Sequence, residues 1–199
     1  SLARVRDLEK GQHLERIAHY SRLMGQLLAG KYGLSDEFIE YLHLFSPLHD
    51  IGKVGIPDAI LLKPGELDAD QWVVMRRHVT IGEEIIEKIG HELDMHGDLA
   101  SRVMYNIVAT HHERGDGSGY PRGLKMADIP LEGRIVAVAD AYDALSNRRP
   151  YKKPWNESAV LQELRREAAK GRLDPDCVEA LLGAREARLL IAQRFADLA

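Results

Sequence analysis

Residues Pro47–Pro57 read P-L-H-D-I-G-K-V-G-I-P, and the adjacent His49 and Asp50 decide how the rest of the chain is read. An imidazole beside a carboxylate offers two metal ligands of different charge. A carboxylate has two oxygens, so Asp50 can bridge two ions while His49 holds one of them. The pair is expected on the last turn of a helix, with Lys53 one turn further along and close to any phosphate bound there. Gly52 and Gly55 let the backbone bend or approach closely, and Ile56–Pro57 marks a stop. A His-Asp pair alone also fits a salt-bridged helix end. The weight therefore falls on whether further ligands arrive at helical spacing elsewhere.

They do. Before the motif, residues from about Asp7 to Gly30 carry an apolar stripe, Leu14, Ile17, Ser21, Met24 and Leu28, at helical spacing, with Glu9 and His13 four apart on one face. Ser35 caps a second helix from Asp36 to about Asp50. After the motif, Asp68-x-x-Gln71 reads as a capping box. It opens a helix to about Gly90, whose apolar face is read as Trp72, Met75, Val79, Gly82, Ile85, Ile86 and Ile89, with His78 at its edge. Residues 91–98 read as a polar loop, and His91 and His96 there as surface. A helix from about Leu99 ends in His111–His112, followed by E-R-G-D-G-S-G-Y-P, a shaped loop with Gly115, Gly117, Gly119 and Pro121.

Pro130 starts a helix with Ile135, Val138, Ala139, Tyr142 and Leu145 inward. Asp140 sits in its apolar run V-A-V-A-D-A-Y-D-A-L. An unpaired carboxylate there is costly, so it argues for a buried cation. Next, N-R-R-P-Y-K-K supplies Arg148, Arg149, Lys152 and Lys153, either a solvated helix end or a phosphate clamp. Asn156 and Asp174–Pro175 open two more helices. A last one, through Leu189, Leu190, Ile191 and Phe195, reads as packing or oligomer contact. The expected fold is all-α: one helical bundle with its metal site in the core and a C-terminal helical extension.

Composition narrows the field. In 199 residues Lys+Arg number 27 and Asp+Glu 31, for a net charge of −4. No global basic field favours duplex nucleic acid, so an anionic ligand needs a local basic cluster or metal. The single cysteine, Cys177, permits no intrachain disulfide and fits a reducing, cytoplasmic compartment. No apolar run reaches membrane-spanning length. The chain starts at Ser1 and is charged at once, as expected of a domain cut from a longer protein.

Glu9, His13, His49, Asp50, His78, His111, His112 and Asp140 are too many ligands for one ion, and mixed His and carboxylate donors suit iron, manganese or zinc better than calcium or magnesium. These residues, with R-D-L-E-K-G-Q-H, L-H-D-I-G-K-V-G-I-P, R-H-V-T-I-G, H-H-E-R-G-D-G-S-G-Y-P and V-A-D-A-Y-D-A-L-S-N-R-R-P-Y-K in that order, cover about Asp7 to Lys152. The combination resembles the HD-GYP family, a bacterial branch of the HD-domain metal-dependent phosphohydrolases.

The resemblance implies a helical bundle of the HD-domain type, with residues 1–155 as catalytic core and 156–199 as helices packing on the same domain. It implies two or three divalent ions, iron or manganese first, with zinc, nickel or magnesium as alternatives. Glu9 fits the carboxylate that accompanies a third ion. The implied reaction is hydrolysis of cyclic di-GMP to linear pGpG and on to GMP, by a metal-bridged hydroxide attacking phosphorus. Asp50 and Lys53 would be catalytic, and Lys53, Tyr120, Arg149 and Lys152 would hold substrate. An N-terminal sensory or receiver domain, GGDEF-type protein partners and a homodimer are compatible with it. The rival readings are the same fold on another cyclic dinucleotide, a non-catalytic cyclic di-GMP sensor or protein-interaction module, and an iron-based redox or oxygen sensor. Gly115 departs from the family, which often has a bulky aromatic there, and is expected to loosen the loop. Asp143 is expected to support a ligand or pack a helix, and His19 and His43 match no ligand position.

Overall fold

A computed structural model describes residues 11–147 and 153–198. Glu9, Arg148, Arg149 and Lys152 lie outside the described residues. The helices, in order, are α1 Gly11–Tyr32, α2 Asp36–Phe45, α3 Asp58–Leu61, α4 Ala69–Glu92, α5 Leu99–Thr110, α6 Leu131–Ser146, α7 Glu157–Ala169, α8 Pro175–Gly183 and α9 Arg185–Arg194. Among the described residues there is no strand, only an isolated bridge between Asp116 and Lys125. No helix there is long and apolar enough to cross a membrane.

Side-chain caps set several boundaries, because the first N–H groups of a helix have no partner inside it. Asp68 and Gln71 form the reciprocal box at α4 (Gln71 N to Asp68 Oδ1 2.8 Å, Asp68 N to Gln71 Oε1 3.0 Å). Ser35, Asp98, Asn156 and Asp174 cap α2, α5, α7 and α8. The main core joins Ile17, Tyr20 and Met24 of α1, Leu42 of α2, Val103 and Ile107 of α5 and Ile135, Val138 and Tyr142 of α6. Val160, Leu164, Cys177, Val178 and Leu181 of α7 and α8 belong to the same cluster. The C-terminal helices thus share one apolar interior with the helices that carry the histidines.

Two stretches differ from the reading of the sequence. α2 stops at Phe45, and residues Ser46–Leu48 and Ile51–Gly55 form 3-10 turns. Pro47 has no N–H to continue the α-helical ladder, so His49 and Asp50 sit between two tight turns rather than on a helix end. α4 runs on to Glu92 and includes His91. Trp72 is 46% exposed, because the buried face of α4 is His78, Val79, Gly82, Glu83, Ile86 and Gly90.

Gly52 explains how the second turn reaches α4. A Cβ built on it would collide with the carbonyl oxygen of His78 and lie 2.5 Å from Gly82 N. Only two glycines face to face bring these backbones so close. That contact delivers Asp50 and His78 to one point.

Candidate metal centre

Seven side chains from five parts of the chain converge in two groups. One is Asp50, His78, His111 and His112; the other is His13, His49 and Asp140; within each, the ligand atoms lie within 4.8 Å of one another. Asp50 joins them. Its Oδ1 is 3.1 Å from His78 Nε2, 3.2 Å from His111 Nε2 and 3.8 Å from His112 Nε2. Its Oδ2 is 3.3 Å from His49 Nε2 and 2.9 Å from Lys53 Nζ. Asp140 Oδ1 lies 3.7 Å from His49 Nε2 and 3.8 Å from His13 Nε2.

The backbone fixes which ring nitrogen faces inward. His49 Nδ1 is 2.7 Å from the Ser46 carbonyl, His78 Nδ1 is 2.7 Å from the Met75 carbonyl, and His111 Nδ1 is 3.1 Å from the carbonyls of Ile107 and Val108. A carbonyl only accepts, so each Nδ1 carries the proton and each Nε2 keeps its lone pair for the centre. His13 Nδ1 donates instead to Asp143 Oδ2 at 2.6 Å. His13, His49, His78 and His111 are buried. Asp140 (side chain 25% exposed), His112 (20%) and Lys53 (28%) form the mouth of the site.

Burial disfavours the charged imidazolium. It holds His111 below its ordinary range, partly offset by Asp50, and pushes His112 down to about 3 with help from His111. For Asp140 burial acts upward, but the hydrogen bond and charge interaction with His49, then His13, hold the carboxyl well below the usual carboxylate range. Neutral imidazoles and ionised carboxylates are the states a divalent cation requires. Convergent Nε2 atoms, Nδ1 protons already satisfied and a carboxylate with one oxygen toward each group fit two divalent ions with Asp50 between them.

The glycine-rich loop closes over one side. Tyr120 stacks on His112 (centroids 4.7 Å apart, 15° between planes), and the Arg76 guanidinium lies 5.2 Å over the Tyr120 ring. Burial pushes the Tyr120 hydroxyl up to about 12. Tyr120 therefore offers a neutral rim and braces a metal-site histidine. Gly119 allows this: a Cβ there would clash with the His112 carbonyl and the Arg114 N. Gly115 does not loosen the loop as expected. Its N–H donates to Arg172 O at 2.9 Å, its carbonyl accepts from Met126 N at 3.0 Å, and an added Cβ would lie 2.5 Å from Gly171 O. The departure from an aromatic lets the loop lie directly on the turn between α7 and α8.

Supports that the sequence did not single out complete the site. Glu113, 2% exposed, accepts from Arg122 N at 2.9 Å and Leu124 N at 3.3 Å. Glu83 binds the Arg122 guanidinium with both oxygens, at 2.6 and 3.0 Å. Arg16 is 1% exposed and forks onto Asp143. The signal for Arg16 was its place three residues after His13, on the same helix face. Of the expected site residues, Glu9, Arg149 and Lys152 lie outside the described residues, while the other seven metal candidates, Lys53 and Tyr120 are brought together.

An HD domain family model matches residues 7–177. The chain is 46% identical to a cyclic di-GMP phosphodiesterase response regulator of Xanthomonas campestris, over 90% of this chain and 44% of that protein. It is 44% identical to a cyclic di-GMP phosphodiesterase of Thermotoga maritima, over 91% and 46%. It is 45% identical to a 3'3'-cGAMP-specific phosphodiesterase 2 of Vibrio cholerae, over 89% and 32%. The chain thus spans less than half the length of each of these relatives.

Proposed function

The chain belongs to the HD-domain family, in its HD-GYP branch, and from that premise we propose that it is a metal-dependent phosphodiesterase that hydrolyses cyclic di-GMP. The observation that carries the reading is Asp50: one oxygen faces His78, His111 and His112, and the other faces His49 and Lys53. That is the donor arrangement for two divalent ions sharing a carboxylate. When bound, the ions supply Lewis-acid activation of water and neutralise charge on a phosphoryl group.

His78, His111, His112 and Asp50 would hold one ion, and His13, His49, Asp140 and Asp50 would hold the other. Iron or manganese suits these donors best. Glu9 would add a carboxylate for a third ion, which would supply the Lewis acidity for cleaving pGpG on to GMP. Lys53, beside Asp50, places an ammonium where negative charge grows at phosphorus. Arg149 and Lys152 supply cations for the substrate's phosphates, and Tyr120 lines the pocket. No side-chain nucleophile is needed. Residues 1–155 form the catalytic core, residues 156–199 complete the same domain, and a regulatory domain precedes it in a cytoplasmic bacterial protein.

The test is turnover on protein purified without oxygen, stripped, and reloaded with ferrous iron or manganese. Cyclic di-GMP and 3'3'-cGAMP are supplied in separate arms, with products separated and metals counted. The reading expects cleavage of cyclic di-GMP, abolished in Asp50→Ala and His49→Ala proteins that remain folded. Full activity in either variant refutes it. The similarity to a 3'3'-cGAMP-specific enzyme favours a second reading, the same chemistry on the mixed dinucleotide, which preference for that arm would establish.

A further inference from the structure

We infer that Asp143 and Arg16 are positioning residues for one half of the metal centre, the half built on His13, and that residues 195–197 hold them in place. The inference rests on the two-ion reading above and deepens it. Asp143 is 1% exposed and accepts four hydrogen bonds: from His13 Nδ1 at 2.6 Å, Arg16 Nε at 2.6 Å, Arg16 Nη2 at 3.2 Å and Asn147 Nδ2 at 3.0 Å. A carboxylate has about four lone-pair sites. Asp143 is therefore filled by protein donors and has no capacity left for a cation. Its role is to fix the proton of His13 on Nδ1, aim Nε2 at Asp140 and His49, and make the imidazole a stronger base.

Arg16 makes that arrangement rigid. Its fork binds both oxygens of Asp143, so the carboxylate cannot rotate without losing two charge-assisted bonds. Arg16 is itself held from the far side. Nη1 donates to Phe195 O at 2.7 Å and to Asp197 Oδ1 at 3.1 Å. The chain of contacts therefore runs from the segment after α9 through Arg16 and Asp143 to His13. It stops there. His78 and His111 are anchored on carbonyls of their own helices, α4 and α5, and their carboxylate partner is Asp50. Loosening Asp143 therefore disturbs one ion and spares the other, whereas general damage to the fold disturbs both.

The experiment titrates Mn2+ into the whole chain after chelator treatment, following free Mn2+ by paramagnetic resonance and fitting two dissociation constants. An Asp143→Asn side chain has one oxygen and cannot accept from His13 and both arms of Arg16. One of the two constants should weaken by about 10–100-fold, the usual cost of losing a ligand's outer partner, with the other within twofold of wild type. Arg16→Lys keeps the charge and loses the fork; it should weaken the same ion by about 3–10-fold, and it carries the test if Asp143→Asn does not fold. Equal weakening of both ions, or no change in either constant, overturns the inference. Wild-type protein that binds fewer than two ions overturns the two-ion centre and this positioning role with it.

Discussion

Gly52→Ala leaves every proposed ligand in place and should still disable the protein. The added methyl would meet the His78 carbonyl oxygen, and it would lie 2.5 Å from Gly82 N and 2.8 Å from His78 C. Ordinary carbon contacts begin near 3.5 Å, so the Ile51–Gly55 turn and α4 must part by more than about 1 Å. Both neighbours are backbone, and α4 is a 24-residue helix packed on α5, so neither yields easily. Overpacking of this kind costs about 1–3 kcal/mol, and this case belongs at the upper end. For a chain of this size that lowers Tm by roughly 5–10 °C. The functional loss should be larger than the stability loss. The separation opens the 3.1 Å gap between His78 Nε2 and Asp50 Oδ1, and a misplacement of about 1 Å can cost on the order of 100-fold in rate. The assay pairs thermal unfolding with Mn2+ stoichiometry and turnover. A Gly52→Ala protein with wild-type Tm and a full complement of ions would refute the close-approach argument.

Lys53→Met should leave metal stoichiometry unchanged and lower kcat by about 100-fold; loss of metal instead would make Lys53 a structural partner of Asp50. Metal-free protein should lose stability as pH falls from 6.5 toward 3. The unfolded chain protonates His112 near 6.5 while the folded chain resists until about 3, so the unfolded state binds more protons across that window and stability rises with pH through it. Each unit contributes up to about 1.4 kcal/mol, and chelated wild type should show a steeper Tm-versus-pH slope than chelated His112→Gln. Glu113→Gln removes the charged acceptor for Arg122 N and Leu124 N. A cost of about 1–3 kcal/mol is expected, together with a raised KM from the loosened loop; a change in kcat with KM unaltered would speak against that role.

The candidate ligands were legible because each is anomalous where it stands. His49–Asp50 precedes a glycine-rich turn, Asp140 interrupts an apolar run, and His111–His112 ends a helix. Helical periodicity placed α1, α4, α5 and α6 because their buried stripes are nearly continuous. What stayed hidden depends on partners distant in sequence. Arg16 on an amphipathic helix reads as surface until Asp143, 127 residues later, is seen beside it. Glu113 reads as loop polarity until the loop's own N–H groups are traced to it. Gly115 looked like a weakness because its neighbours, Gly171 and Met126, come from elsewhere in the chain. Trp72 misled because size and apolarity suggest the core, while the neighbouring turns of α4 bury His78 and Glu83 instead.

The spread of the two ligand groups along the chain has a consequence for how the protein matures on the ribosome. Asp50, His78, His111 and His112 all leave the exit tunnel within one stretch of 63 residues, so their half of the centre can gather while synthesis is under way. The other half cannot. His13 is made before them and must wait for Asp140 and Asp143, and Arg16 waits longer still for Phe195, 179 residues downstream. Contacts so distant form late, because closing a long segment of chain costs entropy before it brings any contact. On the two-ion reading the nascent polypeptide should therefore acquire its ions in a fixed order, the Asp50–His112 ion first, with the His13 ion entering only after the segments around Asp140 and Phe195 have been made.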